Sequence, residues 1–454
     1  MKEQEKIFNE YSVWKAMAAM ALPAVIMMIV MVIYNMADMF FIAQLKNTAM
    51  VASVSIVGPV FAMVMAVGNM IGSGGCTVIA RTLGERNDEM LKKYSSLCGW
   101  GCIAAGLLCT VILLVFEDQL LGFLGANEET WSYASSYLRI LALGAPFMVF
   151  SAGFGNLLRA VGDVKNGMMA NFLGTIVNIV LDPILILVFH MGTAGAALAT
   201  VIGYASGCLL EVTRVLKKDC PLTLSPVYAK DVRPLGKVLY SGLPNLASTF
   251  LSSFASAFAN RMLVGYGTTA VAAMAAAGKA GMLITMIQMG LAVGVQPLMA
   301  YAYGAGDERK LKEIVKNLVV LTLTIGSVLT LGCYIESEAI VGMFLKEAEA
   351  ADLSVKMMRL MVLAGPLSGM TYIASNLLQA CDKVTVSTVI SVLRQGLMLV
   401  PLLYIMNRLQ GMMGNVYAHL FADLGSALLS LIVTVYCLKK LYGKKEVMSG
   451  KVLV

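Results

Sequence analysis

Two acidic residues lie inside otherwise apolar stretches, and each follows a polar residue by one helical turn. The stretch 33–45 reads IYNMADMFFIAQL and contains Tyr34 and Asp38, and the motif NIVLDP contains Asn178 and Asp182. Residues four apart share one helix face. Two carboxylates in a poorly solvated pocket cannot easily both be charged, which suits a proton carrier. Together with amide and hydroxyl oxygens they would equally suit Na⁺, a hard cation that takes oxygen ligands.

The rest of the chain decides in which solvent these acids lie. Of 454 residues, 59% are hydrophobic and 13% are charged, against roughly 25% charged in an ordinary soluble protein. Apolar runs long enough to cross a bilayer recur twelve times, whereas barrel strands would be short and alternating. We therefore predict an all-α membrane protein with transmembrane helices near 14–42, 50–78, 94–116, 132–158, 167–190, 192–215, 235–266, 270–302, 317–335, 356–379, 387–407 and 411–438.

Lysine and arginine predict the orientation of these helices. They collect in the amino-terminal tail, in every second connection and after the last span, whereas the connection 117–131 has four acids and no base. The positive-inside rule then places both termini in the cytoplasm of a plasma membrane of bacterial type. The polar start of the chain predicts no removable signal peptide. A net charge of +7 is explained by this loop pattern and requires no nucleic acid.

The predicted orientation brings the polar residues to one depth. Asp38 and Asp182 both fall in the outer half of helices that run outward, and Thr200 lies near the outer end of the sixth span. We expect Tyr34, Asp38, Asn178, Asp182 and Thr200 to form one ion-coupling site. Binding there would change the shape of the first helix, where a proline at position 23, Pro23, removes a backbone hydrogen bond and permits a bend.

The chain contains an internal repeat. Asn156-Leu157-Leu158 matches Asn376-Leu377-Leu378, 220 residues later, and Pro146 and Pro366 have the same separation. We predict two lobes of like topology related by an axis along the membrane normal, at 1–215 and 235–454, joined by a cytoplasmic linker at 216–234. Transporters of this design bind substrate between their repeats. The chain has no Gly-rich loop ending in Gly-Lys-Ser/Thr, so nucleotide is not expected as a ligand.

These motifs, the related cytoplasmic loops around Gly84 and Gly304, and the twofold repeat of six helices resemble the multidrug and toxic compound extrusion family. The resemblance covers nearly the whole chain. It implies an antiporter for lipophilic cations, and is closest to the branch whose ion site lies in the amino-terminal lobe, with Asp38, Asn178, Asp182, Thr200 and Tyr34 at the site positions. The stretches 250–263 and 365–378 contain no acid, so no sodium site is expected in the carboxy-terminal lobe.

Further polar and flexible residues are candidates for the substrate cavity. The chain has 33 methionines, and flexible methionines suit ligands of different shapes. Lys279, Arg394 and the Asp423/His419 pair would contact substrate or pair with one another. We expect a cavity lined by Met31, Met36, Met282, Met286, Gln288, Lys279 and Arg394. The nine cysteines are interpreted as packing thiols.

Three functions remain open at this point. The first is an antiporter that exports drugs or a specific metabolite; the second is a flippase for lipid-linked saccharides; the third is an intramembrane enzyme. A flippase would need a cavity rich in Arg and Lys, and an enzyme would need a nucleophile with a base or a metal cluster, which two separate histidines do not form. The antiporter is the preferred reading, with small molecules and membrane lipids as partners, no cofactor apart from transported H⁺ or Na⁺, and a monomeric state.

Overall fold

The computed structural model describes the backbone of residues 3–43, 47–345 and 348–449, and the side chains of residues 6–32, 47, 49–267, 269–345 and 348–436. Within these residues the regular structure is helical, which confirms the predicted all-α class. The helices are α1 Glu3–Asn9, α2 Val13–Ala43, α3 Thr48–Gly84, α4 Asp88–Val115, α5 Glu117–Phe123, α6 Glu128–Ala160, α7 Val164–Pro183, α8 Gly192–Val215, α9 Arg233–Val264, α10 Thr268–Gly304, α11 Glu308–Ile335, α12 Ser337–Gly342, α13 Ala348–Val362, α14 Gly365–Ala380, α15 Val384–Val392, α16 Val400–Gln410 and α17 Met412–Ser449.

Every predicted span coincides with a helix or with consecutive helices. By length and composition, ten helices in the described residues can cross a membrane, and α13 with α14 would make an eleventh. The remaining predicted span, α9, is 32 residues long and falls outside that set. Its five serines and two asparagines lower its hydropathy below that of its neighbours.

Asparagine side chains begin three of the long helices. The side chain of Asn47 accepts hydrogen bonds from the backbone N–H groups of Ala49 and Met50, and that of Asn87 accepts one from Met90. Asn127 forms a reciprocal capping box with Thr130. These caps satisfy backbone donors that the first helical turn leaves free, so the short connections end where the next span starts.

Two spans depart from regular α-helix in ways that the sequence pattern does not show. The tenth span, predicted as one helix at 356–379, bends by 48° between α13 and α14. The bend coincides with Gly365 and Pro366, yet Pro146, the matching proline of the first half, lies inside the unbroken α6. The fifth and eleventh spans each contain a π-helical segment, Ile184–Val188 and Leu393–Leu399.

Contacts divide the chain into two compact units. Unit 1 comprises Met1–Thr249 with Gly294–Ile314, and unit 2 comprises Phe250–Val293 with Val315–Val454. Unit 1 therefore includes one end of α9 and one end of α10. The predicted lobe boundaries at 215 and 235 follow the sequence repeat rather than these contacts, and they stay a prediction.

Glycines allow helices to approach closely within unit 1. A Cβ atom at Gly68 would lie 2.8 Å from the carbonyl oxygen of Val149, and one at Gly72 would lie 2.8 Å from that of Gly153. Only the absence of a side chain lets α3 and α6 pack at this distance. The Gly68/Gly72 pair is therefore a packing contact between α3 and α6.

The ends of α9 and α10 that belong to unit 1 meet α3 in the same way. A Cβ atom at Gly242 would lie 1.9 Å from the carbonyl oxygen of Met70, and one at Gly304 would lie 2.1 Å from that of Arg81. The buried side chain of Gln296 also donates to the hydroxyl of Thr77 at 3.1 Å. The contact between α3 and the second half of the chain is consequently backbone against backbone at two separate points.

The segment after α8 is held against α4. The hydroxyl of Ser95 donates to the carbonyl of Thr223 at 2.9 Å, that of Ser96 donates to Ser225 at 2.7 Å, and the indole N–H of Trp100 donates to Leu224 at 3.0 Å. The predicted linker thus has fixed backbone partners. Burial raises the pKa of the nearby Cys220 thiol, so this thiol is protonated and unreactive near neutral pH.

Candidate ion and substrate sites

The buried polar cluster of unit 1 lies between α7 and α8. Asp182 is 0% exposed, and Asn178 and Thr200 are each 2% exposed. Asp182 and Asn178 are one turn apart on α7, and Thr200 faces them from α8. The three residues that the sequence places at one depth are therefore adjacent and shielded from water, as the prediction from helix spacing requires.

The amide of Asn178 connects the other two side chains. In one orientation its Nδ2 lies 3.3 Å from the hydroxyl oxygen of Thr200. In the other, which gives both ends of the amide suitable partners, it donates to Oδ2 of Asp182 at 3.2 Å and accepts from the backbone N–H of Thr200 at 3.1 Å. With the second assignment, Asn178 links the carboxylate of Asp182 to the backbone of α8.

Local backbone structure sets the position of Asp182. It directly precedes Pro183, the last residue of α7, after which the chain continues as the π-helical segment Ile184–Val188. Proline donates no backbone hydrogen bond, and single π turns are frequent at functional sites. Asp182 therefore lies in the last turn of α7, directly before a wider, irregular turn.

The two first-helix members of the predicted site lie on α2, which packs against both α7 and α8. The side chains of Tyr34 and Asp38, and that of Met36, lie outside the described residues. Pro23 lies within α2, which continues through it. Participation of Tyr34 and Asp38 in the site stays a prediction.

Gln288 has a defined place in unit 2, beside the bend between α13 and α14. Its Nε2 donates to the carbonyl of Gly365 at 2.7 Å, and its Oε1 accepts from the hydroxyl of Ser368 at 2.5 Å. Gln288 is fully buried. In this conformation both ends of the Gln288 amide form hydrogen bonds to residues at the bend. Contact of Gln288 with substrate stays a prediction.

The other cavity candidates are more accessible. Met31 and Met282 have exposed side chains, Lys279 is exposed, and Met286 is half-buried. Such positions suit contact with a ligand or with lipid equally, and their substrate role also stays a prediction.

Arg394 and Asp423 form an ion pair within unit 2. Nε of Arg394 donates to Oδ1 of Asp423 at 2.6 Å, and Nη1 donates to the hydroxyl of Tyr372 at 3.3 Å. The two charged side chains are 17% and 18% exposed. Arg394 lies in the π-helical segment Leu393–Leu399, and His419 lies one turn before Asp423 on α17. Of the two roles considered for these residues, the structure shows mutual pairing.

Sequence reasoning missed one buried acid, Glu211. It was not singled out among the intramembrane acids because it lies four residues from the end of the sixth predicted span, beside the basic residues Arg214 and Lys217. Such a position is typical of a flanking charge. The structure buries Glu211 completely, at 0% exposed, and Arg214 pairs with Asp163 at 2.5 Å instead. Only the inclusion of position 211 within the predicted span 192–215 could have identified it.

Two repeated halves of six helices, with an ionisable group buried within the membrane, are typical of transporters. The chain belongs to that class. The MatE family model matches it twice, at residues 23–184 and 244–405. The chain is also 30% identical over 441 residues to the multidrug export protein MepA of Staphylococcus aureus, with 97% of each chain covered. MepA of Staphylococcus saprophyticus is likewise 30% identical over 441 residues, with 96% of each covered.

Solved structures show the same fold. An outward-facing multidrug resistance MATE family transporter of the MOP superfamily superposes with a TM-score of 0.92 at 24% identity, covering 97% of this chain and 99% of that one. A MOP superfamily transporter from Pyrococcus furiosus gives a TM-score of 0.91 at 23% identity, with the same coverage. The chain belongs to the multidrug and toxic compound extrusion (MatE) family, with its fold of twelve transmembrane helices in two lobes, and is a transporter rather than an enzyme.

Proposed function

We propose that the chain is a secondary active antiporter that exports lipophilic, often cationic compounds in exchange for H⁺ or Na⁺. The observation that carries this proposal is the buried cluster of Asp182, Asn178 and Thr200. A charged carboxylate within a bilayer costs at least about 2.5 kcal/mol. A proton or a cation removes that cost on binding, so occupancy of the site is energetically coupled to the structure around it.

The donor set is compatible with either ion. The carboxylate of Asp182, the amide oxygen of Asn178 and the hydroxyl of Thr200 are the hard oxygen ligands that suit Na⁺. Protonation of Asp182 alone would also neutralise the cluster. Asp38 and Tyr34 belong to the same proposed site, because α2 packs against α7 and α8.

Alternating access supplies the transport step. The close glycine contacts of α3 with α9 and α10 in unit 1 would have to separate for one side of the protein to open. We propose that ion binding at Asp182 changes the path of α2 at Pro23, and that substrate leaves as the ion enters.

The names of the relatives support the substrate class. Both MepA proteins are multidrug export proteins, and the methionine-rich segments of this chain suit ligands of varied shape. Met31, Met36, Met282, Met286, Gln288, Lys279 and Arg394 remain the proposed cavity residues. The protein would act as a monomer in a plasma membrane, with both termini in the cytoplasm and lobes at 1–215 and 235–454.

Ethidium accumulation tests the proposal in cells that lack their own efflux pumps. We expect the native protein to lower accumulation, and Asp182→Asn and Asp38→Asn to abolish this effect at equal membrane expression. Asp352→Asn is the matched control, since it removes an acid whose side chain is 68% exposed. Equal efflux by native protein and Asp182→Asn would refute ion coupling through this cluster.

The alternatives give different results. If native protein has no effect on several lipophilic cations, a specific metabolite becomes the expected substrate. If purified protein retains a lipid pyrophosphate, a flippase for lipid-linked saccharides replaces the antiporter as the proposed function.

A further inference from the structure

Glu211 lies at the opposite end of the α7–α8 pair from Asp182. It is four residues from the end of α8 and 0% exposed. Its carboxyl lies against Gly155 of α6 and Asn171 of α7. A Cβ atom added at Gly155 would lie 3.0 Å from Oε1 of Glu211 and 3.3 Å from the amide nitrogen of Asn171. Asn171 precedes Asp182 by eleven residues, or about 16 Å along a helix axis. Glu211 is therefore a separate site and not part of the Asp182 cluster.

Neither carboxylate oxygen of Glu211 has a hydrogen-bond partner among the described residues. The hydroxyl of Ser151, on α6, faces the carboxyl without hydrogen-bond geometry. Asn171, on α7, uses its amide to donate to the carbonyl of Gly167 at 3.1 Å. The neighbouring polar groups consequently leave the carboxyl unsatisfied.

No described cation lies within ion-pair distance of Glu211 from any helix packed against α8. Titratable groups close to it include the thiols of Cys208, on α8 itself, and Cys102, on α4. Arg214, one turn further along α8, is bound by Asp163 at 2.5 Å and Asp219 at 3.0 Å. Arg159 of α6 lies a turn beyond Gly155, and among the described residues α2, α3 and α7 place no charged side chain within 4 Å of the carboxyl.

Burial without a cation partner strongly favours the protonated acid over the ionised carboxylate in such a position. A proton is the ion that suits it, because Na⁺ would need several oxygen ligands, and two thiols, one hydroxyl and the amide of Asn171 supply few of them. The sequence repeat does not retain an acid here: Leu209-Leu210-Glu211 matches Leu428-Leu429-Ser430, 219 residues later.

We propose that Glu211 is a second proton-carrying carboxylate of the amino-terminal half, distinct from Asp182, which serves exchange of protons with the cytoplasm. The proposal rests on the antiporter function and its proton-coupled form. When the end of α8 opens to water, the O–H bond of the Glu211 carboxyl breaks, the proton passes to water, and the carboxylate remains. Reburial of α8 requires that a proton be bound again.

Glu211→Gln isolates the proton step, because the amide has the shape of the protonated acid and cannot ionise. The purified full chain is reconstituted into proteoliposomes with ethidium as the probe, and transport driven by a pH gradient is compared with ethidium counterflow at equal pH. We expect Glu211→Gln to lower gradient-driven transport by about tenfold or more, within the usual range for coupling between sites, with counterflow preserved. Glu338→Gln, which changes an exposed acid, should behave as the native protein.

Infrared difference spectroscopy on a change of pH gives a readout that a packing role would not move. The carbonyl band of a protonated carboxyl group should be present in native protein and Asp182→Asn, and diminished in Glu211→Gln. Native-like gradient-driven transport by Glu211→Gln would overturn the inference. So would a loss of both counterflow and thermal stability in this variant, because that result would indicate a packing role. Transport by native protein driven by Na⁺ alone would overturn it and leave the proposed antiporter intact, whereas no transport of ethidium or other lipophilic cations would remove both.

Discussion

Arg394 and Asp423 are joined by a 2.6 Å hydrogen-bonded ion pair between the π-helical segment Leu393–Leu399 and α17. In the first half of the chain, α7 and α8 instead meet through two glycines. A Cβ atom at Gly174 would lie 2.7 Å from the carbonyl oxygen of Gly203. One helix contact is therefore closed backbone to backbone, and the other is held by two long charged side chains.

This pair should stabilise the protein only while both charges are present. Removing one partner of a buried ion pair typically costs about 3–5 kcal/mol, and partial exposure places this pair at or below the lower end. We expect Asp423→Asn and Arg394→Gln each to lower the midpoint of thermal unfolding in detergent. The double substitution Arg394→Met with Asp423→Leu should recover most of the loss. Equal unfolding of native protein and both single variants would show that the pair contributes nothing to stability.

Thr200 should be needed for its hydroxyl and not for its shape. Thr200→Val keeps the size of the side chain and removes the group that lies 3.3 Å from Nδ2 of Asn178. We expect this variant to lose ethidium efflux while its expression and thermal stability stay close to native. Thr200→Ser, which retains the hydroxyl, is the matched control and should keep most of the activity. Native-like efflux by Thr200→Val would exclude the hydroxyl as an ion ligand.

The approach of α9 to α3 should be sensitive to a single methyl group. A Cβ atom at Gly242 would lie 1.9 Å from the carbonyl oxygen of Met70, whereas one at Gly236, on the same helix, meets no atom within 4 Å. Gly242→Ala should reduce efflux because the helices can no longer close. Gly236→Ala should be neutral or stabilising by up to about 1 kcal/mol, the usual helix preference of alanine over glycine. The two variants are compared by ethidium efflux and thermal unfolding, and equal behaviour would contradict the close contact.

Gln288 should stabilise the bend of the tenth span. Gln288→Leu removes both hydrogen bonds of the buried amide, with a typical cost of about 1–3 kcal/mol. Ser368→Ala should cost less, because Gln288 keeps its hydrogen bond to Gly365. Thermal unfolding of the two variants measures the difference. A larger loss in Ser368→Ala than in Gln288→Leu would mean that the amide does not hold the bend.

Hydropathy and the sequence repeat predicted the helices and the depth of the unit 1 cluster, because long apolar runs and one-turn spacings are local properties. Asn178, Asp182 and Thr200 came together as expected. The bend at Pro366 could not be predicted: Pro146 has similar surroundings in sequence but lies within the unbroken helix α6. The difference arises from contacts such as those of Gln288 with Gly365 and Ser368, which sequence spacing does not reveal.

The sequence pattern also did not predict which charged side chains are buried or which partners they bind. Glu211 and Arg214 have the spacing of an exposed i,i+3 pair, yet Arg214 binds Asp163, 51 residues earlier, and Glu211 has no ion-pair partner among the described residues. Arg394 and Asp423 were recognised as possible partners, but only their three-dimensional structure distinguished pairing from free contact with substrate. Long-range partners decide these cases, and one sequence does not identify them.

The central claim is that substrate export is coupled to an ion through Asp182. It is tested most directly by recording ethidium movement together with internal pH, or internal Na⁺, in proteoliposomes that contain native protein or Asp182→Asn. We predict that the native protein moves ethidium against its gradient while H⁺ or Na⁺ moves in the opposite direction, and that Asp182→Asn does neither. Coupled movement of both species by Asp182→Asn at the native rate would contradict the claim.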